Sequence, residues 1–99
     1  LMSEYYELKD KILEELSPEY ANKIDYSKIY VNKGLSNEIP GAKPNRRPDI
    51  MGVRKDGLID QVEVPSKTDD LLALRNRMKD NQRILGGRAG NIKIRSIKQ

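Results

Sequence analysis

Two strand-compatible runs, Asp49–Arg54 and Leu58–Val64, stand on either side of Lys55-Asp56-Gly57. That pairing constrains the fold more than any other feature of the chain. A three-residue connection with glycine at its left-handed position closes an antiparallel hairpin. Side chains alternate along a strand, so Leu58, Asp60, Val62 and Val64 share one face. Ile59, Gln61 and Glu63 share the other, as does Lys67 if the strand continues regularly. Glu63 therefore falls in mid-strand between two valines, where a carboxylate is costly unless it is paired or bound to a metal. Asp49 follows Pro48 at the start of the first run, and across a hairpin of this length it approaches Glu63.

The flanking sequence supplies the partners such a hairpin needs. Tyr5, Leu8, Ile12 and Leu16 follow helical spacing, which predicts an amphipathic helix over residues 3–16, capped by Ser3 and ended by Ser17-Pro18. Residues 27–31 read as a strand. Residues 33–47 are rich in Gly, Pro and Asn and read as a long loop. Leu71, Leu74, Met78 and Leu85, with Asn81 completing the spacing, predict a helix over 69–85. Ser66 or Thr68 is the expected cap, and Gly86-Gly87 the stop. The alternation of Ile92 and Ile94 predicts a last strand over 91–97. The expected order is α-β-β-β-α-β in one α/β (α+β) domain spanning residues 1–99, a mixed sheet flanked by helices.

Composition narrows the chemistry. There is no His and no Cys, so imidazole bases, thiolate nucleophiles, disulfides and zinc sites built on those residues are excluded. With 36% hydrophobic and 34% charged residues and neither Phe nor Trp, the core must come from Leu, Ile, Val, Met and Tyr. No apolar run approaches the roughly 18 residues of a membrane span, and no signal-peptide pattern is visible. The chain opens Leu1-Met2, which reads as a piece cut from a longer protein or a start altered by cloning. Charge is uneven. Residues 1–25 carry three bases against seven acids, a net of −4, and residues 26–99 carry 16 bases against eight acids, a net of +8. A basic body suits a polyanionic partner as well as a plain solvated surface.

Asp49, Glu63 and Lys67 together could hold a divalent metal against a phosphodiester. Carboxylates are hard oxygen ligands, the metal neutralises phosphate charge and acidifies a bound water, and a lysine can steady developing charge. The bland alternative is that Asp49 caps a turn and Glu63 pairs with Lys67 on a solvated face. Gln61 is a candidate partner of Glu63. Lys43, Arg46 and Arg47 precede the site and suit phosphate contacts. Arg75, Lys79 and Arg83, spaced by four, could track a phosphate backbone or form a solvated stripe. All five tyrosines lie at or before Tyr30, so the basic body lacks the aromatics of a single-strand stacking platform, which favours structured RNA or duplex DNA.

The pattern Arg-Pro-Asp49, a hairpin, then Glu63-Val-Pro-Ser-Lys67 and a helix resembles the PD-(D/E)xK (restriction-endonuclease-like) nuclease superfamily. It is similar in particular to C-terminal toxin domains of bacterial contact-dependent inhibition and polymorphic toxin systems. The resemblance implies a domain excised from the C-terminus of a larger protein, delivered from a bacterial cell surface or secreted, and acting in the target-cell cytoplasm. It implies Mg²⁺ or Mn²⁺ held by Asp49 and Glu63, cleavage of nucleic acid with tRNA slightly favoured over DNA, and an acidic cognate immunity protein. It also implies a Glu on the first helix near the metal, for which Glu4 and Glu15 are the candidates and Glu15 is preferred. The family's lysine usually lies two residues after the Glu, where this chain has Pro65, and Lys67 lies two further along. Two alternatives stay open: a non-enzymatic basic module that binds nucleic acid or protein, and a metal-independent RNase.

Overall fold

The computed structural model describes residues 26–95, together with Glu7 and Asp10. Of the helix expected over 3–16, those two residues are described, both helical and exposed; Glu4 and Glu15 lie outside the described residues. The remainder is a small α+β domain: a four-stranded mixed sheet and a 15-residue helix. The strands are β1 (Tyr26–Val31), β2 (Ile50–Arg54), β3 (Ile59–Glu63) and β4 (Ala89–Ile94), and the helix, α1, is Leu71–Leu85. The sheet order is β1-β2-β3-β4. The first two pairings are antiparallel and β3–β4 is parallel. A parallel return needs a crossover, and α1 supplies it.

The β2–β3 hairpin forms where the sequence places it, with its strands slightly shorter than expected. Gly57 takes φ +94°, a backbone region that only glycine enters freely. Its N–H donates to the Arg54 carbonyl (2.9 Å), and the Asp56 carboxylate accepts from the Leu58 N–H (2.9 Å). The register pairs Met51 with Gln61 and Val53 with Ile59. These four side chains share one face, and α1 packs there through Met78, Asn81 and Leu85. Leu35, Met51, Val53, Ile59 and Leu85 form one buried cluster. As composition demanded, the described core is Leu, Ile, Val and Met, with Tyr30 packed at its margin.

On the opposite face Asp60 is 5% exposed. It is satisfied by a bidentate Arg54 (2.7 and 2.9 Å), the Tyr26 hydroxyl (2.6 Å) and the Asn91 N–H (2.7 Å). The Tyr26 ring reaches it by lying across Gly52, where a Cβ would come within 2.6 Å of the ring. Glycine in mid-strand is otherwise unfavourable; here it makes room for that ring.

Several boundaries differ from expectation, each for a local reason. The helix begins at Leu71, not at 69, because Asp70 is the cap: its carboxylate accepts from the Leu72 and Ala73 N–H groups (3.0 and 3.2 Å). Ser66 and Thr68 instead bond each other in the preceding turn. The last strand runs Ala89–Ile94 and starts before the expected residue 91, because a 3₁₀ turn at Gly86–Arg88 hands the chain directly from α1 to the sheet; residues 96 and 97 of the expected strand lie outside the described residues. Within residues 33–47, Leu35–Asn37 forms a 3₁₀ turn and Leu35 is fully buried. That burial anchors the loop to the sheet.

Candidate active site

The connection between β1 and β2 is a closed loop whose stem continues their pairing. The Asn32 N–H donates to the Asp49 carbonyl (3.1 Å) and the Leu35 N–H to the Arg46 carbonyl (3.0 Å). Those bonds deliver Arg46, Arg47 and Asp49 to the end of the sheet beside β3. Extending the β2–β3 register by one step puts Asp49 opposite Glu63. Two hydrogen bonds fix the arrangement: Asp49 N–H to Glu63 Oε1 (3.3 Å) and Val64 N–H to Asp49 Oδ2 (2.7 Å). Asp49 is 5% exposed and Glu63 is half-buried. Asp49 and Glu63 are thus brought opposite each other, as the hairpin register led one to expect.

They lie in a cleft of about 420 Å³ between the end of the hairpin and the N-terminal half of α1. Leu74, Met78 and Asn81 come from the helix, Val64 and Pro65 from the chain leaving β3. Its charged groups are three carboxylates, Asp49, Glu63 and Asp69, and three guanidinium groups, Arg46, Arg47 and Arg77. A polar chain runs beneath it. Arg46 Nη1 donates to Asp80 Oδ2 (2.8 Å) and Asn81 Oδ1 (3.1 Å). Asn81 Nδ2 donates to Gln61 Oε1 (2.9 Å), and Gln61 Nε2 to the Met78 carbonyl (3.1 Å). Asp80 also accepts from Arg83 (2.9 Å). The two arginines hold the Asp80 carboxyl below its usual range, Arg46 foremost.

Other expected site residues are placed differently. Gln61 is 1% exposed, and both ends of its amide are bonded to α1, so it ties the helix to the sheet where a partnership with Glu63 was expected. Lys67 does not continue the strand face. β3 ends at Glu63, Val64 and Pro65 leave the sheet, and residues 66–69 form a turn in which the Ser66 N–H donates to Asp69 Oδ2 (2.8 Å). Lys67 is exposed in that turn and does not line the cleft. Lys43 is exposed on the loop. Arg75, Lys79 and Arg83 are exposed. At 3.6 residues per turn, Arg75 and Lys79 stand about 160° from Arg77, which lines the cleft. Periodicity among the charges themselves pointed away from the site. Position relative to the apolar stripe points to it, since Arg77 lies three residues after Leu74 and one before Met78.

Asp49 and Glu63 each present a carboxylate to the cleft, and a Mg²⁺-like ion keeps several waters and needs only one or two carboxylates. Among the described residues, no group of three or more His, Cys, Asp or Glu side chains is placed to hold a metal, so water or backbone oxygens would complete the shell. No family model, curated protein or solved structure matches the chain. Among the described residues, no helix is long and apolar enough to cross a membrane.

Proposed function

We propose that this chain is a metal-dependent nuclease domain with a restriction-endonuclease-like core, acting as a bacterial toxin on RNA, with tRNA favoured over DNA. One observation carries the reading: two carboxylates set opposite each other at the end of a hairpin, in a cleft that also presents three arginines. The element order and the parallel β3–β4 pairing are compatible with that core. Asp49 and Glu63 would hold Mg²⁺ or Mn²⁺. Such an ion, when bound, supplies charge neutralisation and a water of lowered pKa.

The protein's own groups divide the remaining work. Guanidinium groups match phosphate oxygens bidentately and stay protonated at any working pH. Arg46, Arg47 and Arg77 therefore bind and polarise phosphate and accept no proton. Among the described cleft residues, the groups able to take one are the carboxylates of Asp49, Glu63 and Asp69. Arg46 is oriented by Asp80 and Asn81, so part of the phosphate-facing wall is set before substrate arrives. Delivery from a larger protein, action in the target-cell cytoplasm and neutralisation by an acidic immunity protein belong to the same proposal.

The test is incubation of the purified chain with tRNA and with plasmid in Mg²⁺, in Mn²⁺ and in EDTA. Cleavage that requires the metal is expected. Undiminished cleavage in EDTA would replace this mechanism with a metal-independent RNase. The exposed position of Lys67, outside the cleft, favours a second reading, a binding module that retains nucleic acid without cutting it. Binding with no cleavage under any condition would select it.

A further inference from the structure

We infer that the helix wall of this cleft is a phosphodiester subsite whose principal ligand is Arg77. The inference deepens the nucleic-acid reading above and rests on it. Its starting point is how the arginines are engaged. Arg46, Arg54, Arg83 and Arg88 each bond a carboxylate within the fold. Among the described residues, the Arg77 side chain makes no hydrogen bond or ion pair, yet it lines the cleft. It is carried on a helix fixed by Leu74, Met78 and Leu85, all buried, and by the Gln61–Asn81 bond. A long cation held at its base by a rigid element and unengaged at its tip is arranged for a ligand outside the fold.

The chemistry of the surroundings identifies that ligand as an anion with several oxygens. Arg47 lines the same cleft and is likewise unbonded among the described residues. Arg46 stands beside them, its Nη1 fixed by Asp80 and Asn81. Three forks on one cleft suit a phosphate, whose oxygens accept bidentate pairs. The carboxylates Asp49 and Glu63 lie on the sheet side of the same cleft. A phosphate on the helix wall therefore sits beside the groups proposed to act on it. Arg75 and Lys79 carry the same charge on the same helix but point elsewhere. Electrostatics alone would count them equal to Arg77; the subsite does not.

That difference is the test. Fluorescein-labelled tRNA is titrated with the full chain in EDTA, where anisotropy reads binding without metal or cleavage, over a series of salt concentrations. Arg77→Ala is expected to weaken binding about tenfold, the scale of one lost charged bidentate contact. It should also lower the slope of log affinity against log salt by about 0.7–0.9. Arg77→Lys should restore the slope but not the full affinity. Arg75→Ala and Lys79→Ala should each change affinity by less than about threefold. The Arg77 side chain is exposed and unbonded, so circular dichroism should show every variant folded. An Arg77→Ala protein indistinguishable from the Arg75 and Lys79 variants overturns the subsite, as does wild-type protein that fails to bind tRNA in EDTA. Arg77-dependent binding with no cleavage in Mg²⁺ or Mn²⁺ would sink the nuclease reading and leave the subsite standing. Metal-dependent cleavage with Arg77 no different from its neighbours would do the reverse.

Discussion

Asp49 has two duties that a single substitution can separate. One oxygen accepts the Val64 N–H and holds the end of the hairpin closed; its charge, beside Glu63, is what the proposed chemistry uses. Asn in its place keeps an acceptor for that N–H and loses the charge. Asp49→Asn is therefore expected to melt within about 1 kcal/mol of wild type while cleavage falls about 100-fold or more, the scale of losing one preorganised electrostatic contact. Asp49→Ala also strands the Val64 N–H, which costs about 1–3 kcal/mol. Glu63→Gln should lose activity as Asp49→Asn does. Thermal melts and single-turnover rates on the same samples check this, and a fully active Glu63→Gln protein would make the pair structural. The convergence of the pair was legible because a hairpin with a defined turn has a defined register. Arg77 was not. Its role depends on which helix face meets the sheet, and charges spaced by four drew attention to 75, 79 and 83 instead.

At the scale of elements, one carboxylate clasps the loop over 33–48 to the strands and turns around it. Glu38 accepts from the Tyr30 hydroxyl (2.6 Å) and Lys28 Nζ (3.2 Å) on β1, and from Arg88 (3.0 Å) in the turn before β4. Arg88 also donates to the Gly57 carbonyl (2.9 Å), so the hairpin turn joins the same clasp. The Tyr30 hydrogen bond, with help from Arg88 and Lys28, holds the Glu38 carboxyl below its usual range, and the same bond raises Tyr30 above 10.0. A depressed carboxyl contributes stability that is present above its unfolded pKa, about 4.5, and lost as pH falls through the folded value. A raised phenol contributes stability that is present below about 10 and lost as pH rises through its folded value. Melting temperature is therefore expected to fall on acidification below about 4.5, and Glu38→Gln should flatten part of that fall. An unchanged acid slope in Glu38→Gln would remove the clasp from the account. None of this was legible in a stretch of Gly, Pro and Asn, because its order comes from partners 8 to 50 residues away. The strands and α1, whose signals are local, were found to within a few residues. A mixed sheet was expected and is present, but which strands pair in parallel was not readable, since alternation names a strand's faces and not its neighbours.

For the molecule as a whole, charge is the property a partner meets first. Residues 26–99 carry a net of +8, and Arg47 and Arg77 are cleft cations without partners among the described residues. An acidic inhibitor of the proposed toxin would be drawn to the same surface as nucleic acid. Its association rate is expected to fall steeply with added salt. The double substitution Arg47→Glu/Arg77→Glu should weaken inhibitor and tRNA together, each by about tenfold or more. Simultaneous, undiminished binding of both to an Asp49→Asn protein would place the inhibitor elsewhere. The mixed sheet and the Asp60–Arg54 pair lie apart from this exchange. They supply the rigid frame against which a small cleft can keep its shape.

The bond from Val64 to Asp49 has one more consequence. It is a backbone amide proton aimed at a carboxylate 2.7 Å away, and amide resonances are sensitive to the charge of their acceptor. Whatever changes that acceptor, whether protonation, an ion drawn to its oxygens or a ligand displacing it, is written into the Val64 resonance and its exchange with solvent. With uniform ¹⁵N labelling, that amide is expected to act as a spectroscopic reporter of the cleft, one that responds to occupancy even when nothing is being cut.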